Sequence, residues 1–290
     1  MGKSSRKILK TPLITFVIVN YNGGEYLKNC LSSIKEQNLN HECIVVDNNS
    51  QDKSKEILKE FNTKNIFLSK NEGYPKAINL GLKLSRGKYI YLITPTTFLK
   101  KNSVANMLNY ITPEEVGLVA PKLIDEKNNI VRSIRKIPTP ISLLLGTLGL
   151  SELNLGFKKI ISWKLRKFDY SKHSEVEQPM SCALLTKREI FEKIGYFDER
   201  FFLYFSDVDF SKRALVKYKI LYTPDSQSIH IRGGLTKILG EKRILILNND
   251  LLRYLKKYHP FAFYIFSGII FLAGRIRFLI EKKRVNRYFS

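Results

Sequence analysis

Apolar, β-branched runs alternating with helix-spaced segments constrain this chain more than any other feature. Ile14–Asn20 (ITFVIVN) is almost continuously apolar, as a strand covered on both faces is. Asn22, Gly23 and Gly24 break it, and Leu27, Cys30, Leu31 and Ile34 follow at the spacing of an amphipathic helix. A second strand, Cys43–Val46, runs into Asp47-Asn48-Asn49-Ser50. Ser50 or Asp52 is placed there to cap a helix that buries Ile57, Leu58 and Phe61. Ile66–Ser69 reads as a third strand. After Asn71-Glu72-Gly73, a helix through Ala77, Ile78, Leu82 and Leu84 leads to Gly87 and a fourth strand, YIYLI from Tyr89. This alternation predicts βαβ units and a parallel sheet, an α/β half-domain of the nucleotide-binding type.

Further strands are expected at Val116–Pro121, Val176–Thr186 and Ile220–Thr223, with a helix over Lys187–Ile194. Residues 132–150 switch from basic to apolar around two prolines and read as an irregular excursion with a greasy tip. From Glu241 to Tyr258 the pattern is helical and charged, and Pro260–Gly274 carries no charge. A perpendicular membrane span needs roughly twenty apolar residues. Arg275 and Arg277 interrupt this run before Glu281-Lys282-Lys283-Arg284. The expected form is an interfacial helix with snorkelling arginines, its basic end held by anionic lipid. A tilted span and a buried core helix are the alternatives. The expected division is a basic extension over 1–10, an α/β domain over 11–240 and a helical region over 241–290.

The net charge of +23 implies an anionic partner: nucleic acid, an acidic membrane surface or a phosphorylated small molecule. Lys3, Arg6, Lys7 and Lys10 stand without an acid at the start, yet no zinc-finger spacing or RNA-binding aromatic signature appears, so nucleic acid is not expected. Cys30, Cys43 and Cys182 are widely spaced in apolar segments, which reads as reduced usage. No apolar signal-peptide core precedes Thr11, so a cytoplasmic location is expected.

Chemistry concentrates at the expected carboxyl ends of the strands, where open α/β sheets bind ligands. Asn20, Tyr21 and Asn22 end the first. Asp47 and Asn49 follow the second, where a carboxylate either accepts ligand hydroxyls or serves turn chemistry. Asn71 and Gly73 form the next turn, and Gly73 permits close approach or positive φ. Asn79 is unfavourable within a helix and so is expected to reach a partner. The fourth strand ends in Thr94-Pro95-Thr96-Thr97, where a metal-binding acid would be expected. Ser206-Asp207-Val208-Asp209, followed by Arg213, offers either a catalytic acid or a capping box. His230 and Arg232 lie in SIHIRGG.

In register, VIVNYNGGEYLKNCLSSI, VVDNNSQDKS, NEGYPKAINLGL, the threonine turn, GYFDERFFLYFSDVDFSKR and SIHIRGG resemble the family-2 glycosyltransferases, especially their rhamnosyltransferase-like branch. The resemblance runs from about Thr11 to Thr236. It implies the GT-A fold: a Rossmann-like, mostly parallel mixed sheet with helices on both faces, followed here by a helical, membrane-associating tail. It also implies inverting transfer of rhamnose or a hexose from a nucleotide sugar to a glycan or polyprenyl-linked acceptor. The setting would be cell-surface polysaccharide synthesis at the cytoplasmic membrane face. Asp207 would be the base. Asn20, Tyr21, Asn22, Asp47, Asn49, Asn71, Gly73, Asn79, Thr94, Thr96, Arg213, His230 and Arg232 would serve the nucleotide sugar.

The family's turn is Asn-Pro-Asp-Thr, whose Asp holds Mg²⁺ or Mn²⁺ on the diphosphate. Thr94 and Thr96 replace the Asn and the Asp, leaving His230 as the other candidate ligand. Cationic neutralisation by members of the set Lys76, Lys100, Arg132, Arg135 and Arg232 is then expected. A non-catalytic protein that binds a nucleotide sugar or a partner through this fold is the alternative.

Overall fold

Strand β1 (Ile14–Asn20) is buried along its whole length, and its alternating side chains feed two layers. Ile14, Phe16 and Ile18 pack with α1 (Gly24–Lys35) through Leu27, Cys30 and Leu31. Val17 and Val19 face the other way, onto Ala77, Ile78 and Leu82 of α3 (Tyr74–Leu84). Gly81 lets α3 sit close, since a Cβ there would lie 2.5 Å from Val17 Cγ1. The computed structural model describes residues 11–150, 162–165, 167–234 and 236–288. The expected basic extension over residues 1–10 lies outside them.

Between these elements run β2 (His41–Asp47), α2 (Ser54–Leu58) and β3 (Lys64–Phe67). After α3 come β4 (Tyr89–Ile93), β5 (Thr97–Leu99), α4 (Ser103–Ile111), β6 (Val116–Ile124), β7 (Ile134–Arg135) and α5 (Pro140–Thr147). Next are β8 (Ser174–Glu175), β9 (Gln178–Pro179), β10 (Ala183–Lys187), α6 (Ile190–Ile194), α7 (Ser206–Ala214) and β11 (Lys219–His230). Helices α8 (Lys242–Tyr258) and α9 (Pro260–Tyr288) close the chain. The main sheet has the order β3-β2-β1-β4-β10-β6-β11-β5, with β8 on β11. Strands β3, β2, β1 and β4 are parallel. Beyond β4 the sheet is mixed: β10 is antiparallel to β4 and β6, and β11 is parallel to β6 but antiparallel to β5.

The structure departs from the sequence reading in several places. Val176–Thr186 is not one strand. Val176 pairs with Ile220, Met180 with Ser133, and Pro179 lacks the N–H that a continuous ladder needs, so the segment starts just after β8 and contains β9 and, apart from Lys187, β10. The excursion at 132–150 contains α5, because Thr139 accepts from the Ser142 N–H at 3.3 Å and Pro140 occupies the first helical turn. The capping box at Ser206 does not form: Phe205 precedes α7 in the left-handed region, and Ser206 donates to the Leu203 carbonyl instead.

A third apolar cluster joins Phe201, Phe205 and Val208 to Leu251, Tyr254 and Leu255 of α8 and Ile270 of α9. Only His259 separates the two helices. Asn248 donates to the Ile270 carbonyl at 3.0 Å, and Gly274 faces Asn248 where a Cβ would clash. Helix α9 passes Arg275 and Arg277 without a break. It is the one helix among the described residues long and apolar enough to cross a membrane, over Pro260–Lys283. Phe261, Tyr264 and Leu272 along it are exposed.

Candidate active site

The register that puts Asn20 beside Asp47 brings the ends of β1 and β2 together. Asn20 Nδ2 donates to Asp47 Oδ2 at 2.8 Å and to Ser50 Oγ at 3.0 Å, while the Ser50 N–H donates to Asp47 Oδ1 at 2.8 Å. Asp47 is fully buried, and both of its oxygens hold the turn. Asn22 and Asn49 both adopt positive φ and both accept from Gln51, so they shape this corner. Tyr21 is the member of this group that lines the adjoining cavity, of about 360 Å³. Asn48, which the sequence reading did not single out, lines it as well. It donates to Asn71 Oδ1 at 2.9 Å and accepts from the Glu72 N–H at 2.8 Å, tying the next turn to β2.

Gly73 has φ +85°, and a Cβ there would lie 2.5 Å from the Phe202 carbonyl oxygen, which accepts from the Tyr74 N–H at 2.7 Å. Close approach therefore requires glycine. Asn79 does reach a partner, though within the chain: its amide donates to the Phe197 carbonyl and Glu199, and accepts from the Phe197 N–H at 3.0 Å. It stands away from the cavity lining. Arg213 is similarly committed to Asp209 and to the carbonyls of Ile194, Gly195 and Tyr196. It braces α6 against α7.

The threonine turn forms the floor of the cavity. Thr94 Oγ1 lies 3.3 Å from Thr96 Oγ1 and 3.1 Å from Thr97 Oγ1, and Thr97 Oγ1 lies 3.0 Å from His230 Nδ1. This chain of contacts exists because β5 pairs with β11, placing His230 opposite Thr97. Burial, with a contribution from the Arg232 charge, pulls the His230 pKa down to about 4, so the ring is neutral at pH 7. A hard divalent cation prefers carboxylate oxygens. Here the donors are neutral hydroxyls, and the inner nitrogen of the histidine is taken. Among the described residues no group of three His, Cys, Asp or Glu side chains converges. These residues do not fit Mg²⁺ or Mn²⁺.

Asp207 sits in the first turn of α7. Its Oδ2 accepts from Gln178 Nε2 at 3.0 Å and its Oδ1 from the Val208 N–H at 2.9 Å. Burial raises its pKa, against the lowering effect of the Arg135 charge and these hydrogen bonds. Gln178 and Arg135 face each other across the β7–β9 ribbon. Tyr74 and Cys182, both in the cavity wall, feel the Asp207 charge: burial first and Asp207 second push the Cys182 thiol up to about 12. The carboxylate is therefore within electrostatic reach of that wall, behind the residues that line the cavity. Asp209, two residues on, is fully buried and accepts from the Tyr258 hydroxyl at 2.7 Å and from Lys257, anchoring α7 to α8.

The sequence reading missed Gln178, Asn48 and the Phe202–Tyr204 wall. Asp250 of α8 holds that wall by accepting from the N–H groups of Phe202, Leu203 and Tyr204 at 2.9–3.0 Å. Of the expected cations, Lys76 is paired with Glu72 at 2.9 Å, whereas Arg135 and Arg232 act electrostatically on Asp207 and His230.

A parallel β3-β2-β1-β4 half-sheet, extended by antiparallel β10 and carrying its cavity at the strand ends, defines the GT-A class of α/β proteins. The model of glycosyl transferase family 2 matches residues 15–209, and the chain belongs to that family. A low-salt glycan biosynthesis hexosyltransferase, Agl10 of Haloferax volcanii, is 24% identical over 72% of this chain and 64% of its own. This chain spans less than two thirds of the length of the first such relatives. The mannosyltransferase PcManGT from Pyrobaculum calidifontis, solved with GDP-Man and Mn²⁺, superposes with a TM-score of 0.55 at 15% identity, covering 92% of this chain and 87% of that one. S. aureus TarS 1–349 gives 0.53 at 16% identity, over 85% and 73%. Both share the fold.

Proposed function

We propose that this chain transfers a hexosyl or rhamnosyl unit from a nucleotide sugar to a hydroxyl of a glycan or lipid-linked acceptor, with inversion and without a divalent cation. The observation that carries the reading is Asp207, a half-buried carboxylate held by Gln178 near a largely apolar cavity of about 360 Å³ whose polar groups include Asn48, Thr94, Thr96 and His230. The nucleotide lies at the Tyr21–Asn48 side and the diphosphate at the Thr94–Thr96–His230 side. Asp207 takes the proton from the acceptor hydroxyl as its oxygen bonds to the anomeric carbon. The bond from that carbon to the diphosphate oxygen breaks, and its electron pair leaves with the nucleoside diphosphate. Arg135 and Arg232 offset that charge in place of a metal, and the threonine hydroxyls donate hydrogen bonds to it. Residues 11–240 form the transferase domain, and 241–290 associate with the anionic cytoplasmic face of the membrane, in the setting of cell-surface polysaccharide synthesis. Thr96 favours a second reading, a protein that binds a nucleotide sugar or a partner and transfers nothing.

Calorimetric titration of UDP-, dTDP- and GDP-sugars, with EDTA and again with Mn²⁺, tests this. One donor is expected to bind in EDTA, with its affinity unchanged by Mn²⁺. Binding only with Mn²⁺ overturns the metal-free site, and no binding in either condition overturns donor recognition altogether.

A further inference from the structure

A second cavity, of about 370 Å³, opens between α8, α9 and Tyr204. Its polar groups are Arg243, Arg277 and Glu281, and its apolar walls are Ile244, Leu247 and Ile280. Arg243 donates to Glu281 at 3.1 Å, which sets its guanidinium at the cavity edge. Arg277 is exposed and has no hydrogen-bond or ion-pair partner among the described residues. Tyr204 lines the proposed donor cavity too, and so connects the two. On the outer side, Ile280 continues into exposed Ile276, Leu272 and Ile269, the solvent face of α9.

One class of ligand matches both halves of this groove. Two guanidiniums recognise a phosphate by paired N–H donors, and a single carboxylate leaves the lining net positive. The apolar face running from it covers about 36 Å along Pro260–Lys283, comparable to the hydrocarbon thickness of about 30 Å. Lys282 and Lys283 flank the cavity end of that face, and the whole chain carries +23. Those charges favour an anionic lipid over an apolar protein partner.

We infer that the groove binds the phosphate of a long-chain lipid phosphate between Arg243 and Arg277, with the chain along the outer face of α9. The sugar carried on that lipid would then reach past Tyr204 toward Asp207. This acceptor role rests on the glycosyl-transfer reading, whereas the lipid-phosphate binding does not.

Flotation of the full chain on phosphatidylcholine vesicles decides it, with the vesicles carrying either a polyprenyl phosphate or phosphatidylglycerol at matched surface charge. Binding is expected to be about tenfold tighter to polyprenyl phosphate. Arg277→Gln should reduce it to the phosphatidylglycerol level. Arg275→Gln removes the same charge from an exposed side chain stacked on Phe271 at 5.2 Å, outside the groove, and should keep the preference. Equal losses in the two variants, or no preference in the parent, would overturn the groove. Donor titration of the same samples separates the two readings. Donor binding without lipid preference sinks the groove alone, while lipid preference without donor binding supports the groove and sinks the transferase.

Discussion

Asp207 is a carboxylate under opposed influences: burial favours its protonated form, while Arg135 and the Gln178 amide favour its charge. Replacing it with Asn keeps the shape and removes the proposed base. Transfer by Asp207→Asn is expected to fall roughly a hundredfold to ten-thousandfold in kcat, with donor affinity unchanged by calorimetry. Because its pKa is raised, the folded state binds this proton more tightly than the unfolded chain. Stability therefore falls as pH rises from the ordinary carboxylate value through the raised one. Asp207→Asn should thus melt at or above the parent's temperature at neutral pH. The acid limb of the parent's rate profile should lie above the ordinary carboxylate range, because the base works only once deprotonated. Neutral His230, held at about 4, contributes no limb between pH 5 and 8. That Gly73, His230 and the threonine turn would meet at one cavity was legible because each sits in a contiguous motif at a strand end. Gln178 was not, because it acts through a two-residue ribbon whose partner lies more than forty residues earlier in the chain.

Helix α8 works as a scaffold for the active-site wall. Its Asp250 is fully buried, pairs with Arg253 at 2.9 Å and accepts three consecutive backbone N–H groups. Asp250→Ala would orphan those donors and is expected to cost about 3 kcal/mol, read as a lower denaturant midpoint at constant slope. Donor affinity should fall with it, because Phe202 and Tyr204 line the cavity, while Asp250→Asn, which keeps one acceptor oxygen, should lose less. At this scale the sequence was most informative where burial was two-sided. The run Ile14–Asn20 coincides with β1 because both of its faces meet helices. Val176–Thr186 misled because a continuous β-rich run carries no sign of where the chain leaves one strand partner for another. Arg213 and Asn79 misled for the opposite reason: polar residues beside a motif were taken toward the ligand, but carbonyls of neighbouring loops claimed them first.

Across the whole molecule, the proposed membrane association would draw both on a charge of +23 and on the one helix among the described residues long and apolar enough to cross a membrane. Changing Leu272 and Ile276 to Asp, both exposed on α9, is expected to abolish flotation with anionic vesicles while leaving the melting temperature unchanged. Retained flotation would assign the attraction to charge alone. The Asn248–Ile270 and Gly274 contacts fasten α9 to the helix that also carries Asp250 and Lys257. A shortened, more soluble version of this chain is therefore expected to lose more than the proposed anchor. Trimming the greasy end would strip the backing from the Phe202–Tyr204 wall, so solubility and the proposed activity are expected to change together.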